Sequence, residues 1–429
     1  MTVHMNFRPR LFDTLPGYNA TTFAKDLGAG ITVGIVALPL AIAIAIASGL
    51  PPASGLWAAI VGGLVVALLG GSNVQIAGPA NAFIVVVFGI VLAHGVMGLL
   101  LATMMAGALM VLMGCLKLGR WMRYVPDALI EGFTSATAVI ILVTQLKDAL
   151  GLPIQKLPAD VAGLLQAQAL ALPQFSGYAL LLTGSTLTMM ALWQSFGQRQ
   201  QLATRLPGSM LALVFLSVIA WAFKLPVETV GSRFGAAFAQ FQQWPTLQFP
   251  AVPWEKVPAL IIPAFTLAIL SGIESLLCAR IADDLQPKVK PHAPNQELIA
   301  QGVANMAAPL LGALPITGTI ARTVTNLKTG GSTPIAAMVH SATLLIIMLI
   351  AAPLAIHIPL AVLAGILIFI AWHMGDWKAL LTLHRMPRER SLVLGVTFGL
   401  TLALSLTWGI AGGLVASWFF RSISPPSHS

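Results

Sequence analysis

Arg322 and Glu274 are charges set within a series of apolar segments of the chain. An arginine in the hydrocarbon of a bilayer costs on the order of 3 kcal/mol even on the lenient insertion scale, so its presence needs a reason. Two reasons compete: it draws an anion into place, or it plugs a gap by pairing with carbonyls or a carboxylate of a neighbouring helix. Glu274 is the one carboxylate inside the apolar run 257–279. It is the natural counter-charge and could carry a proton when an anion binds; the plainer reading is a group near a helix end that reaches water or Arg280. Its separation of six residues from Arg280 is wrong for a pair on one helical face, which favours the first reading.

The elements that must position these groups are two broken stretches. Arg322 lies in 313–332, which interrupts a series of apolar segments and is too short and too polar to cross a bilayer, since a crossing takes about 20 apolar residues. Leu314 to Ile316, with Pro315, predicts an extended piece, and Gly318 to Lys328 predicts a helix of about three turns. Residues 72–81 have the same layout: a β-prone run, Gly78, then Pro79, which suits the first position of a helix because the N–H it lacks would be unsatisfied there. Irregular backbone at membrane depth is tolerated only where it is buried in protein or lines a cavity. Each helix start offers unpaired N–H groups and about half a positive charge. Two such starts facing each other make a focus for an anion, and paired broken helices are the best sequence pointer to a transporter's central site.

The 429 residues are 57% hydrophobic and 9% charged, with a mean hydropathy of +0.87, so the chain is read as an all-α polytopic membrane protein. Apolar segments fall near 25–47, 53–70, 79–94, 96–116, 126–149, 177–195, 207–223, 257–279, 294–312, 318–328, 333–353, 358–374, 390–407 and 409–421. These are fourteen, with the broken one third in each set of seven. An odd number of crossings per half sends the second copy in from the opposite face, which predicts an inverted repeat with short β-strands leading into the third and tenth half-helices. Sixteen of the 23 Lys and Arg then sit on the side of the N-terminus and five on the other. That bias predicts both termini in the cytoplasm, and the net charge of +9 is a topology signal. No basic run is interleaved with aromatics, so no nucleic acid is expected.

Cys115 and Cys278 have no metal-ligand spacing, and neither a disulfide, a metal nor a cofactor is expected. Residues 1–18 hold no apolar core, so no cleavable signal is predicted. Residues 225–256 read as an external linker with aromatics at the headgroup level, 157–172 as an interfacial helix, and 283–294 as a polar loop. Asp127 and Glu131 read as ordinary helix-start acids. His340 reads as a packing residue, with a proton relay as the lesser alternative. Gly62-Gly63, Gly70-Gly71 and Gly412-Gly413 predict close helix approach.

Several strings together resemble the sulfate-permease (SulP) family of anion transporters, the group that also contains prestin. They are 26–39 (Asp26 to Pro39), Ser48-Gly49-Leu50-Pro51-Pro52, 71–79 (Gly71 to Pro79), 297–305 (Glu297 to Asn305) and 317–323 (Thr317 to Thr323). The resemblance spans about 20–420. It implies fourteen segments in two inverted repeats, with a core domain (1–120 and 255–353) that moves like an elevator against a gate domain (121–254, including the linker, and 354–429). It implies a homodimer, and an anion bound between the two half-helices at Ala80 and Asn81 on one side and Ala321 and Arg322 on the other. With Gly78, Pro79, Gly318 and Thr319 at the helix starts, these eight are the expected substrate-binding residues. The family usually continues into a cytoplasmic STAS domain, whereas this sequence stops eight residues after Arg421, so the resemblance is to the membrane domain.

The expected function is secondary active transport of small anions, of the C4-dicarboxylate, sulfate or bicarbonate class, in the bacterial inner membrane. Sodium-coupled bicarbonate relatives present Asp followed four residues later by Thr in the eighth segment; here Glu274 and Cys278 stand there, a poorer oxygen set for a hard cation. Proton-coupled symport with Glu274 as the coupling group is therefore preferred. The alternatives are a sodium-coupled bicarbonate transporter and an exchanger, channel or charge-driven motor on the same fold. No His/Cys/carboxylate cluster of catalytic spacing is present in the membrane, so no enzyme is expected.

Overall fold

The structure, a computed structural model, describes residues 8–120, 126–154, 158, 161–200, 208–239, 255, 257–287, 289–404 and 406–423. In chain order the elements are α1 (Arg10–Thr14), α2 (Ala20–Ala47), α3 (Pro52–Leu69), β1 (Ala77–Gly78), a 3-10 turn (Asn81–Phe83), α4 (Ile84–Cys115), α5 (Asp127–Ala149), α6 (Val161–Ala171), α7 (Gly177–Gln200), α8 (Gly208–Ala222) and α9 (Val230–Ala239). After these come α10 (Val257–Leu285), α11 (Pro294–Ala307), β2 (Thr317–Gly318), α12 (Ile320–Lys328), α13 (Pro334–Ala355), α14 (Leu360–Met374), α15 (Trp377–Leu381), α16 (Arg388–Ala403) and α17 (Leu406–Ile423). Each apolar segment read from the sequence falls on a helix. Five runs among the described residues are long and apolar enough to cross a membrane: Ala20–Ala47, Pro52–Leu69, Asn81–Cys115, Asp127–Ala149 and Val257–Leu285. A sixth is added if Val161–Gln174 and Gly177–Phe196, bent by 116°, are taken together.

The two segments expected on either side of residue 95 are two helical stretches within 84–115, separated at Gly95, whose φ of 71° and ψ of 178° break the helix at that point. Only glycine takes such a backbone without strain. The described part of the expected linker holds α9, whose Arg233 pairs with Glu228 at 2.6 Å and whose Val230 N–H donates to the Ile358 carbonyl at 2.9 Å; residues 240–254, with the expected headgroup aromatics, lie outside the described residues.

The chain divides into two compact units, 1–122 with 188–224 and 228–359, and 123–187 with 225–227 and 360–429. In the first, α2, α3, α4, α10, α11 and α13 pack around the β1–β2 pair. Glycines set the spacing. A Cβ on Gly107 of α4 would meet the Gly302 carbonyl of α11 at 2.6 Å, and one on Gly302 would meet the Gly107 carbonyl at 2.6 Å, the small-residue approach that membrane helices use. Gly62 and Gly63 likewise leave room for Ile316 and for Ser341 and His340. His340 is fully buried.

Two polar clusters fasten this unit beyond what the sequence announced. Asp26, 0% exposed, accepts from the N–H groups of Ser332 at 2.8 Å and Thr333 at 3.3 Å and from the hydroxyls of Thr333 and Tyr18, so α2 is tied to the residues that lead into α13, where Thr333 is the N-cap. Arg10, at the start of α1, is also buried. It donates Nε to the Gly71 carbonyl at 3.2 Å, Nη2 to the Pro291 carbonyl and Nη1 to Asp13 at 3.1 Å.

In the second unit α5 packs on α14 and α16, and α16 on α17. Glu131 pairs with Arg390 at 2.6 Å, Thr183 donates to the Ala149 and Ala361 carbonyls at 3.0 Å each, and Gly413 makes room for Thr397 and Leu129.

Candidate functional site

The two broken stretches meet. Ala77 pairs with Gly318 and Gly78 with Thr317 in an antiparallel ladder two residues long. So short a ladder leaves its flanks unpaired, and at membrane depth each free N–H or C=O needs a partner. Side chains supply them. The Ile76 carbonyl accepts from Thr319 N–H and Thr319 Oγ1, both at 2.9 Å, Ile76 N–H donates to Thr323 Oγ1 at 3.0 Å, and the Val74 carbonyl accepts from Asn326 Nδ2 at 2.9 Å. On the other strand the Asn305 amide clasps both polar groups of Ile316 at 2.8 Å, the pair of bonds a neighbouring strand would make, and Ser271 Oγ adds 2.8 Å to the same carbonyl.

This lacing moves the helix starts later than the sequence predicts. Pro79 does not open a helix: it and Ala80 stay extended, with Ala80 at φ −117° and ψ 148°, and the turn begins at Asn81. Gly318 is drawn into β2, so α12 begins at Ile320 with Thr319 as its N-cap residue. The eight expected residues are nevertheless gathered at one place. Gly78, Pro79 and Ala80 are buried and Asn81 half-buried on one side; Gly318 and Thr319 are buried and Ala321 exposed on the other.

Arg322 is 2% exposed and its guanidinium turns inward. A Cβ at Gly78 would collide with Arg322 Nη1, with Ala59 of α3 next at 3.3 Å, so the cation occupies the seat that the missing side chain leaves. Among the described residues it forms no ion pair, and Nη1 is buried without a hydrogen-bond partner. The arrangement puts a full charge behind two helix starts that already carry about half a charge each. Glu274 is half-buried on α10, its Oε2 also buried without a partner, and it pairs with neither Arg322 nor Arg280. Cys278, one turn on, donates Sγ–H to Thr323 Oγ1 at 3.2 Å, so the thiol is spent on the same threonine that holds Ile76. Among the described residues no group of three His, Cys, Asp or Glu gathers that could hold a metal ion.

Residues that sequence reasoning did not single out do much of the positioning: Gln75, Ser275, Asn305, Thr323 and Asn326. One signal was there to read. Thr319, Thr323 and Asn326 recur at helical spacing along α12 and the residue that precedes it, a polar stripe that a membrane-embedded helix carries only to face other polar groups.

Comparison with known proteins gives a coherent picture. The sulfate permease family profile matches residues 23–397. YvdB of Bacillus subtilis (strain 168), named for sulfate transport, is 39% identical over 406 residues, covering 94% of this chain and 74% of YvdB. The bicarbonate transporter BicA of Picosynechococcus sp. (strain ATCC 27264 / PCC 7002 / PR-6) is 31% identical over 401 residues, covering 91% and 68%. The solved transmembrane domain of a cyanobacterial BicA superposes with a TM-score of 0.79 at 29% identity, covering 93% of this chain and 98% of that one.

Proposed function

This chain belongs to the sulfate permease family, and on that premise we propose that it is a proton-coupled symporter holding its anion between the starts of the 3-10/α4 run and α12. That it is a multi-pass membrane transporter of anions, and no enzyme, follows from the family. The observation that carries the finer reading is the seat of Arg322 at Gly78: an unpaired buried cation backing two helix starts stitched together by the β1–β2 ladder. Such a focus favours an anion.

Glu274 supports proton coupling. Ionised, it would oppose an approaching anion; protonated, it would not, so proton and anion each favour the other's binding, which is the minimum requirement for symport. Cys278, engaged with Thr323, offers no oxygen for sodium. The relatives named for sulfate and bicarbonate make these two, with C4-dicarboxylates, the substrate classes to test. The same reading includes fourteen segments in two inverted repeats, and an elevator motion of core (1–120, 255–353) against gate (121–254, 354–429). It also includes a homodimer in the inner membrane with both termini cytoplasmic.

The deciding experiment is uptake into proteoliposomes of labelled sulfate, bicarbonate and succinate, with and without an inward proton gradient and with sodium or potassium outside. Uptake of one anion, driven by protons and indifferent to sodium, is expected; a sodium requirement would overturn the coupling, and uptake of none the substrate class.

A further inference from the structure

One more buried carboxylate of the first unit has no part in the reading above. Glu297, in the first turn of α11, is 0% exposed. Three donors meet it: Gly71 N–H on Oε2 at 2.8 Å, and Gln301 Nε2 at 3.0 Å and Ser275 Oγ at 3.3 Å on Oε1. A carboxylate only accepts, so the Ser275 proton is committed to it and the Ser275 oxygen is left to accept. What it accepts is Gln75 Nε2, at 2.8 Å, and the Ser275 carbonyl takes the same nitrogen at 3.2 Å. Neither oxygen leaves a place for the amide oxygen, so the direction of the Gln75 amide is fixed by a carboxylate two bonds away. That amide lies across β2: a Cβ on Gly318 would overlap its nitrogen, and Gly318 is the residue paired with Ala77.

We propose that Glu297 is a positioning residue of the anion site. Through Gly71 it sets where the first extended stretch begins, and through Ser275 it turns Gln75 so that its amide closes over Gly318 and holds the two-residue ladder in register. The ladder sets the spacing of the two helix starts, so the charge acts on anion affinity from a distance. The proposal rests on reading those starts as the anion site.

The test compares Glu297→Gln, Gln75→Ala and their combination, with Ser275→Ala as a milder cut in the same relay should Glu297→Gln not fold. Hydrogen exchange read by mass spectrometry needs no ligand. Amides of 74–78 and 316–319 should exchange about tenfold faster in each single variant, with no further rise in the combination because members of one network are not additive; amides of α2 and α13 should not change. Uptake of labelled sulfate, bicarbonate and succinate should show a KM raised about tenfold with the maximal rate per folded transporter little changed. Unchanged exchange, faster exchange throughout, effects that simply add, or a fallen maximal rate at constant KM would each overturn the role. Arg322→Ala separates this from the reading beneath it. If KM ignores Arg322 but follows Glu297, the electrostatic part given to Arg322 fails and the positioning role stands; the reverse pattern sinks the positioning role alone.

Discussion

Arg322 Nη1 stands where a side chain at residue 78 would begin. The cation and the glycine therefore form one feature, split between two stretches far apart in sequence. Gly78→Ala should push the guanidinium off its seat. KM for the transported anion is expected to rise about ten- to a hundredfold, the scale of a misplaced charge-assisted bond, and proteoliposome uptake kinetics would measure it. An unchanged KM would show that the seat has no bearing on the anion.

Removing the charge itself should be more severe than displacing it. Arg322→Ala is expected to lower anion binding while leaving a folded transporter, since the two helix starts still supply a weaker positive focus. Arg322→Lys should restore part of the loss, because an ammonium brings the charge without the planar fork. Binding can be followed by anion-dependent shifts in thermal denaturation in detergent, and equal shifts in all three proteins would contradict the electrostatic role.

Glu274→Gln fixes the site in a form that cannot ionise. Uptake in this variant should lose its dependence on pH and on the proton gradient while remaining indifferent to sodium. A variant that keeps the wild-type pH profile would return Glu274 to a structural part.

Thr323 serves two donors at once, Ile76 N–H and Cys278 Sγ–H. Thr323→Val keeps the shape and strands a backbone N–H in a buried setting, which costs about 1–3 kcal/mol; Thr323→Ser keeps the oxygen and should cost much less. Thermal denaturation of the two variants side by side checks the difference, and equal stability would mean that the threonine oxygen does not hold the strand.

Outside the membrane, burial together with the neighbouring Asp26 carboxylate pushes the Tyr18 phenol from 10.0 up to about 12. A folded value above the free one means that the protonated phenol's contribution is complete below about pH 10 and is lost as pH rises through about 12. In an ultraviolet titration of phenolate absorbance, one tyrosine should ionise late, and Tyr18→Phe should abolish that late phase alone.

How much of this was legible in the sequence depends on whether a feature is local. The apolar runs, the break near Gly95, the two polar interruptions and the exceptional status of Arg322 and Glu274 all follow from counting apolar residues and charges along the chain. What could not be read is pairing across the fold. Asn305 resembles any polar helix residue until Ile316 is set beside it, and Gln75 has no visible purpose until Gly318 lies under its amide. The helix starts were misplaced for the same reason: Pro79 and Gly318 follow helix-start rules locally, but bonds from Thr319, Thr323 and Asn326 keep the backbone extended a little longer. Glu297 was visible inside a motif, yet its role depends on Gly71, far upstream.

The ladder also imposes an order in time. Asn326 and Val74, which bond across it, are 252 residues apart, so a ribosome adding about 5–20 residues per second finishes the first stretch some tens of seconds before its partner exists. During that interval residues 74–78 lack the partners from 317–326 that later hold them, and the residues of the Asn81–Cys115 run before Gly95 are too few to span a bilayer alone. Until α12 emerges the ladder cannot close, and the first half-helix waits without the cross-strand bonds that later hold it, while α13 to α17 are still to be made.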